Sequence, residues 1–265
     1  MTDWDSERLD ASAELMLAGI PNHDQEARWL EEHVRRCGLS ERVYRELVQR
    51  RVAGEPLQYV MGSSQFYDVE LEVGPGVLIP RPETEVLVEL AENLYPGEGR
   101  ICDLCTGSGA IALSLAKLFP QAEVTATDLS PEALAYATRN RERLGLDNVT
   151  LLQGDLFAPL EKGSAFVLLT ANPPYVSPEA YETLEPVVKD YEPALALRAE
   201  EDGLALIRRI CTGAGEFLED DGWLLMEIGD DQGSRVSGML LGAGFRNIQI
   251  HRDYTGRERI AVAQK

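Results

Sequence analysis

Histidine is scarce in this 265-residue chain, with three copies, and cysteine is hardly commoner, with four. Cys102 and Cys105 make one Cys-x-x-Cys pair, but no second pair follows at zinc-ligand spacing. His23, His33 and His251 stand apart from other ligand types, so neither a metal site nor a catalytic histidine is expected. The thiols read as small apolar fillers rather than redox groups, and nothing points to an oxidising compartment. No apolar run reaches the roughly 18 residues that suggest a membrane span. The start, Met1-Thr2-Asp3-Trp4-Asp5, is acidic and lacks the basic-then-apolar order of a signal peptide. No membrane contact is expected, and the cytoplasm is the default location. Internal repeats, low-complexity tracts and a Walker-type lysine are absent too, which argues against solenoids and phosphoryl transfer.

Positive charge is also short: 25 Lys and Arg face 45 Asp and Glu, for a formal net charge of −20. Such a field repels phosphate backbones and weighs against direct nucleic-acid binding. It attracts a basic protein partner, or simply maintains solubility. The hydrophobic share of 44% is enough for a sizeable core without staples.

The first 55 residues or so carry helical spacing and no strand signal. Ala27, Leu30 and Val34 share a face, Gly38 supplies a stop, and Ser40 is a plausible N-cap for a helix bearing Val43, Leu47, Val48 and Val52. Glycines and prolines then punctuate residues 54–85, with Phe66, Val69, Leu71 and Val73 suggesting a hairpin. The expected division is therefore a helical domain with connecting hairpin over 1–75 and a second domain over 76–265. In the second, strands are expected over 101–104, 124–127, 149–152 and 166–170, near 223–228, and as a final pair. Helices are expected over 110–118, from Pro131 to about Arg143 behind an N-cap Ser130, and near 202–214 and 231–242. This alternation argues an α/β fold with a parallel sheet covered on both faces. Trp4, Trp29 and Trp223 read as packing residues, and Asp220-Asp221 as a solvated turn before Gly222.

Three motifs carry chemistry. Asp103-Leu104-Cys105-Thr106-Gly107-Ser108-Gly109 follows a strand and opens a helix, so its glycines allow a tight turn and a ligand close to the backbone. Asp128 ends the next strand, where an acid can bond both ribose hydroxyls of a nucleoside cofactor, or cap the helix ahead of Ser130. A dinucleotide and S-adenosylmethionine fit these two elements equally. Asp155 and Leu156 follow the third strand and read either as an adenine contact or as an ordinary acidic turn. Asn172-Pro173-Pro174-Tyr175 ends an apolar strand. Its stiff backbone, an amide oxygen, a free carbonyl and a flat ring suit a planar NH2 group. Acceptors on both hydrogens raise electron density on a poorly nucleophilic nitrogen, so no metal or strong base is required for its methylation.

With these motifs the chain resembles HemK/PrmC-type methyltransferases, which modify the glutamine of the Gly-Gly-Gln motif in peptide chain release factors. Glu55-Pro56-Leu57-Gln58-Tyr59, Leu78-Ile79-Pro80-Arg81-Pro82-Glu83-Thr84-Glu85 and Glu227-Ile228-Gly229 carry the likeness beside the glycine loop and Asn172 to Tyr175. The resemblance implies a Rossmann-like seven-stranded sheet with an antiparallel last strand, and a small N-terminal helical domain that grips the release factor. It implies S-adenosylmethionine as cofactor, its methionine part wrapped by Cys105, Thr106, Gly107, Ser108 and Gly109. Asp128 would bind its ribose, with Leu129 also at the cofactor, and Asp155 and Leu156 would lie near its adenine. Asn172 would bridge cofactor and substrate, Pro173, Pro174 and Tyr175 would hold the glutamine amide, and Arg81 and Glu83 would wall the site. Asn172, Pro173 and Tyr175 are the expected catalytic set. Cys105 departs from the family, which usually has Gly there. Asn-Pro-Pro-Tyr is shared with adenine amino-methyltransferases, so a nucleic-acid adenine-N6 methyltransferase is the chief alternative. An NAD-dependent oxidoreductase and a non-catalytic nucleoside binder stand further off.

Overall fold

A computed structural model describes residues 4–265. The stretch Met1-Thr2-Asp3, read above as part of an acidic start, lies outside them. Contacts divide the chain into two compact units: one runs to Ser63 and takes in Glu185–Tyr191, the other comprises Ser64–Leu184 and Glu192–Lys265.

The first unit is helical, with α1 (Trp4–Leu17), α2 (His23–Arg36), α3 (Glu41–Val52) and the short α4 (Leu57–Met61). Leu15, Leu30 and Val34 are fully buried, each contributing roughly 2 kcal/mol by leaving water. The Tyr44 hydroxyl donates to the Ala27 carbonyl at 3.1 Å. Glu31 is 4% exposed and accepts from Arg8 at 3.0 Å and Arg35 at 2.8 Å, so its buried charge is paired. Ser40 occupies the N-cap of α3, but its hydroxyl makes no capping bond. Among the tryptophans, Trp4 meets Tyr44 edge-on at 5.7 Å, whereas Trp29 is 44% exposed and is not a packing residue.

The second unit opens with a hairpin, β1 (Ser63–Phe66) and β2 (Val69–Glu72). The division falls at Ser63 rather than at residue 75 because this hairpin belongs with the sheet domain. Fully buried Asn140 makes that link: its Oδ1 accepts from Glu72 N at 2.6 Å, and its amide donates to the Glu72 and Ser108 carbonyls, each at 3.0 Å.

Then follow α5 (Glu85–Leu94), β3 (Arg100–Leu104), α6 (Ala110–Leu118), β4 (Glu123–Asp128), α7 (Pro131–Leu144), β5 (Val149–Gln153) and β6 (Phe166–Ala171). Short helical turns occupy residues 178–203, before α8 (Ala205–Phe217), β7 (Leu218–Glu227), α9 (Gly233–Gly242), β8 (Arg246–Arg252) and β9 (Glu258–Gln264). The seven-stranded sheet has the order β5-β4-β3-β6-β7-β9-β8. Its last strand, β9, pairs antiparallel with both neighbours, while β3 to β7 run parallel. Ser130 caps α7 by accepting from Ala133 N at 3.1 Å, and Pro131 opens the helix. The helix expected from 202 starts at Ala205, because Glu201 and Asp202 have left-handed φ values of 54° and 56°. The strand expected from 223 begins at Leu218, with its register to β6 broken around exposed Asp220 and Asp221.

From β3 the chain winds outward through β4 to β5, then returns to place β6 on the other side of β3. The order therefore reverses between β3 and β6, whose ends align at Leu104 and Ala171. Such a switch point opens a crevice beyond the strand ends. It brings the loops after β3 and β6 side by side.

Candidate active site

Backbone bonds set the shape of the loop after β3. Thr106 N donates to Thr127 O at 3.0 Å, and Gly107 N to Asp128 Oδ2 at 2.8 Å. The other Asp128 oxygen accepts from Ser130 N at 2.9 Å. Asp128 thus both caps the turn after β4 and ties it to the glycine loop, with lone pairs left on each oxygen. Burial raises its pKa, and the Ser130 and Gly107 amides counteract this. Gly109 has φ 89°, and a Cβ there would meet Leu113 Cδ1 at 2.8 Å, which requires glycine. Cys105 also has a left-handed φ, 57°. That conformation favours glycine, so the thiol side chain is held at a strained position.

Beneath this loop, Asp103 is fully buried at the end of β3. Thr170 Oγ1 donates to its Oδ1 at 2.7 Å. Among the described residues, its Oδ2 and Thr106 Oγ1 make no hydrogen bond of ordinary geometry, yet the Thr106 hydroxyl, like Thr170, favours the ionised form of Asp103. Burial pushes the Asp103 carboxyl up to about 7. Leu156 is buried in a left-handed conformation, φ 51°, and its carbonyl accepts from Thr127 Oγ1 at 3.0 Å. Asp155 lies half exposed and pairs with Arg209 at 2.8 Å.

Past β6, Asn172 donates from Nδ2 to Thr84 Oγ1 at 3.3 Å. The Thr84 hydroxyl in turn donates to Glu227 Oε2, and the Tyr175 hydroxyl to Glu227 Oε1 at 2.9 Å. Glu227 is 1% exposed at the end of β7. Arg259 reaches the Tyr175 oxygen and the Ile228 carbonyl, both at 3.4 Å. Burial raises the Glu227 carboxyl, while its hydroxyl partners and the Arg259 charge oppose that rise. The Tyr175 carbonyl accepts from Gln232 Nε2 at 3.1 Å. Gly203 packs so closely here that a Cβ would lie 2.1 Å from that carbonyl oxygen.

One cavity joins these parts. Cys105, Thr106, Gly107 and Ser108 line one side, with Asp128, Leu129, Asp155 and Leu156 beyond them. Asn172, Pro174, Arg81 and Thr84 line the other. Gly109, Pro173, Tyr175 and Glu83 are not among its lining residues. Gly109 opens α6, and Tyr175 directs its hydroxyl to Glu227. Arg81 is held by Glu192, itself 4% exposed. Glu192 Oε1 accepts from Arg81 Nη2 at 2.5 Å, and Oε2 from Ile79 N at 3.0 Å. Sequence reasoning did not assign roles to Asp103, Thr84, Glu192, Glu227 or Asn140. Thr84 and Glu227 stood within quoted signatures, but nothing in either segment signals that they meet across 143 residues.

Among the described residues, no cluster of three or more His, Cys, Asp or Glu could hold a metal, and no helix is long and apolar enough to cross a membrane. A methyltransferase domain family matches residues 97–230, the glycine loop and Asn172 to Tyr175 included. A release factor glutamine methyltransferase of Bordetella pertussis is 42% identical over 261 residues, covering 92% of this chain and 94% of that one. The chain belongs to the release factor glutamine methyltransferase family. Another member, from Vibrio cholerae, is 46% identical over 220 residues, with 82% of this chain and 76% of the other covered. A methyltransferase structure from Pyrococcus furiosus matches with a TM-score of 0.58 at 19% identity, covering 86% of this chain and 99% of that chain. At that identity the likeness concerns the fold. The NAD-dependent oxidoreductase and the non-catalytic binder are set aside by this membership.

Proposed function

We propose that this enzyme transfers a methyl group from S-adenosylmethionine to the side-chain amide nitrogen, N5, of the glutamine in the Gly-Gly-Gln motif of peptide chain release factors. The observation that carries this reading is the orientation of Asn172. Its NH2 is engaged by Thr84, so its carbonyl oxygen is the end available to accept a hydrogen from a planar amide. The Pro173 carbonyl accepts the second hydrogen, and Pro174 and the Tyr175 ring confine the amide plane. Both acceptors stabilise positive charge developing on nitrogen as the carbon–nitrogen bond forms, and the surplus proton leaves to solvent. Arg81, held by Glu192, walls the side from which the glutamine enters, and Glu83 stands behind that wall.

When bound, S-adenosylmethionine supplies an electrophilic methyl on a sulfonium. The residues present fit it. Asp128 lines the cavity with lone pairs left on both carboxylate oxygens, and a Cβ built on Gly107 would meet only Val77, at 3.9 Å. Cys105 to Gly109 would hold the methionine part, Asp128 the ribose, and Leu129, Asp155 and Leu156 the adenine end. The N-terminal helical unit, residues 1–75 with the hairpin in the sequence reading, is assigned to gripping the release factor. A net charge of −20 favours a protein substrate over nucleic acid, and release factors place the enzyme in the cytoplasm.

The test is transfer of labelled methyl from S-adenosylmethionine to a release factor beside its Gly-Gly-Gln Gln→Ala variant, with Asn172→Ala enzyme as control. Label on the native factor alone, lost with Asn172→Ala, is expected. Label on DNA or RNA but on neither factor would replace this reading with the nucleic-acid one.

A further inference from the structure

We propose that Glu227 is a positioning residue that sets, through Thr84, which end of the Asn172 side-chain amide faces the substrate. The inference rests on the reading that Asn172 Oδ1 accepts from the target amide. It concerns a residue that touches neither substrate nor cofactor in that reading.

An ionised carboxylate only accepts. Glu227 takes the Tyr175 hydroxyl on Oε1 and the Thr84 hydroxyl on Oε2. A threonine hydroxyl has one hydrogen, so once it is given to Glu227, Oγ1 can only accept from any other neighbour. That neighbour is the Asn172 amide, 3.3 Å away. Its NH2 end must therefore face Thr84, and its carbonyl oxygen must face the other way. Flipping the amide would oppose lone pairs at Thr84 and turn an N–H toward the N–H groups of the target. The chain of polarity runs Glu227, Thr84, Asn172, and it begins at an almost fully buried carboxylate that solvent cannot satisfy instead. Arg259 balances the charge from beside Tyr175, while Glu83 opposes it. The same carboxylate fixes the Tyr175 hydroxyl, so one group sets both side chains of the Asn-Pro-Pro-Tyr segment that flank the prolines.

Three variants of the full chain test this: Thr84→Val, which keeps the volume but removes the hydroxyl; Thr84→Ser, which keeps the hydroxyl and drops a methyl; and Glu227→Met, which keeps the side-chain length but removes both acceptor oxygens. Methyl transfer to a release factor is measured with labelled S-adenosylmethionine, and cofactor affinity by calorimetry. Thr84→Val and Glu227→Met are expected to lower kcat on the order of 100-fold, the size of losing one oriented polar group in a transition state. The KM for the factor and the cofactor Kd should stay within about twofold, since a misdirected acceptor weakens the transition state more than ground-state binding. Thr84→Ser restores the hydroxyl and should restore kcat, which a purely structural role for the threonine methyl would not. A second readout needs no substrate: hydrogen exchange of the Asn172 side-chain NH2 by NMR should be slow in the parent and Thr84→Ser, and fast in Thr84→Val and Glu227→Met. An active parent with undiminished kcat in Thr84→Val or Glu227→Met overturns the positioning role and leaves the proposed function standing. A parent that labels no release factor overturns that function instead. Equal NH2 exchange in parent and Thr84→Val would then overturn the positioning role as well.

Discussion

Changing Asp103 to Asn should alter how stability depends on pH, with a size that follows from where the carboxylate sits. Asp103 is fully buried, and burial pushes its carboxyl up to about 7 from an ordinary value of 3.8, against the opposing pull of the Thr106 and Thr170 hydroxyls. The folded state therefore holds the proton more tightly than the unfolded chain. Its contribution to stability is fully present below the unfolded pKa and is lost as pH rises through the folded pKa. Each unit of pH across that window costs about 1.4 kcal/mol, so the whole loss is about 4 kcal/mol. Of this, about 2 kcal/mol falls between roughly pH 5.5 and pH 8. Asn does not titrate. Whatever its effect on the Thr170 bond, it should gain about 2 kcal/mol relative to the parent over that interval. Urea denaturation of both proteins without cofactor, at the two pH values, measures the difference. Parallel pH dependence in parent and variant would refute the reasoning and mean that the Thr106 and Thr170 hydroxyls, with solvent, offset the burial.

Three further outcomes follow from the same geometry. Asp128→Asn removes one of the two carboxylate acceptors for Gly107 N and Ser130 N, costing about 1–3 kcal/mol of cofactor affinity, a Kd roughly 10- to 100-fold higher by calorimetry; an unchanged Kd would remove Asp128 from the cofactor site. Glu192→Gln leaves Arg81 without its charge partner and should raise the KM for the release factor about tenfold, with cofactor Kd unchanged, consistent with a 1–2 kcal/mol loss at a partly exposed pair. Gly203→Ala forces a Cβ into the Tyr175 carbonyl at a φ of 81°, so thermal unfolding should show a loss of at least about 2 kcal/mol.

Local chemistry made much of this molecule legible from its residues. The glycine loop, Asp128 at the end of the next strand and Asn172 to Tyr175 after an apolar strand are all short-range patterns. Their placement follows once the strand–helix alternation implies a parallel sheet, because loops at strand ends line the crevice where the order reverses. The Ser130-Pro131 helix start was readable for the same reason, since capping is settled within one turn. Helix and strand starts near 202 and 223 were displaced by left-handed residues at Glu201, Asp202 and Asp221, which ordinary side chains seldom adopt and which no local pattern announces.

The sequence by itself determined the fold class, the chemistry of the nitrogen-holding segment and the family, because each is written in contiguous residues. Only the tertiary structure decided what supports them. Asn140 pins the hairpin to the glycine loop across 68 residues, Glu192 holds Arg81 across 111, and Glu227 reaches Thr84 across 143. A buried polar group must find a partner wherever the fold offers one. Those partners come from segments that meet only after the sheet has formed, so their pairing is a property of packing and not of neighbouring residues.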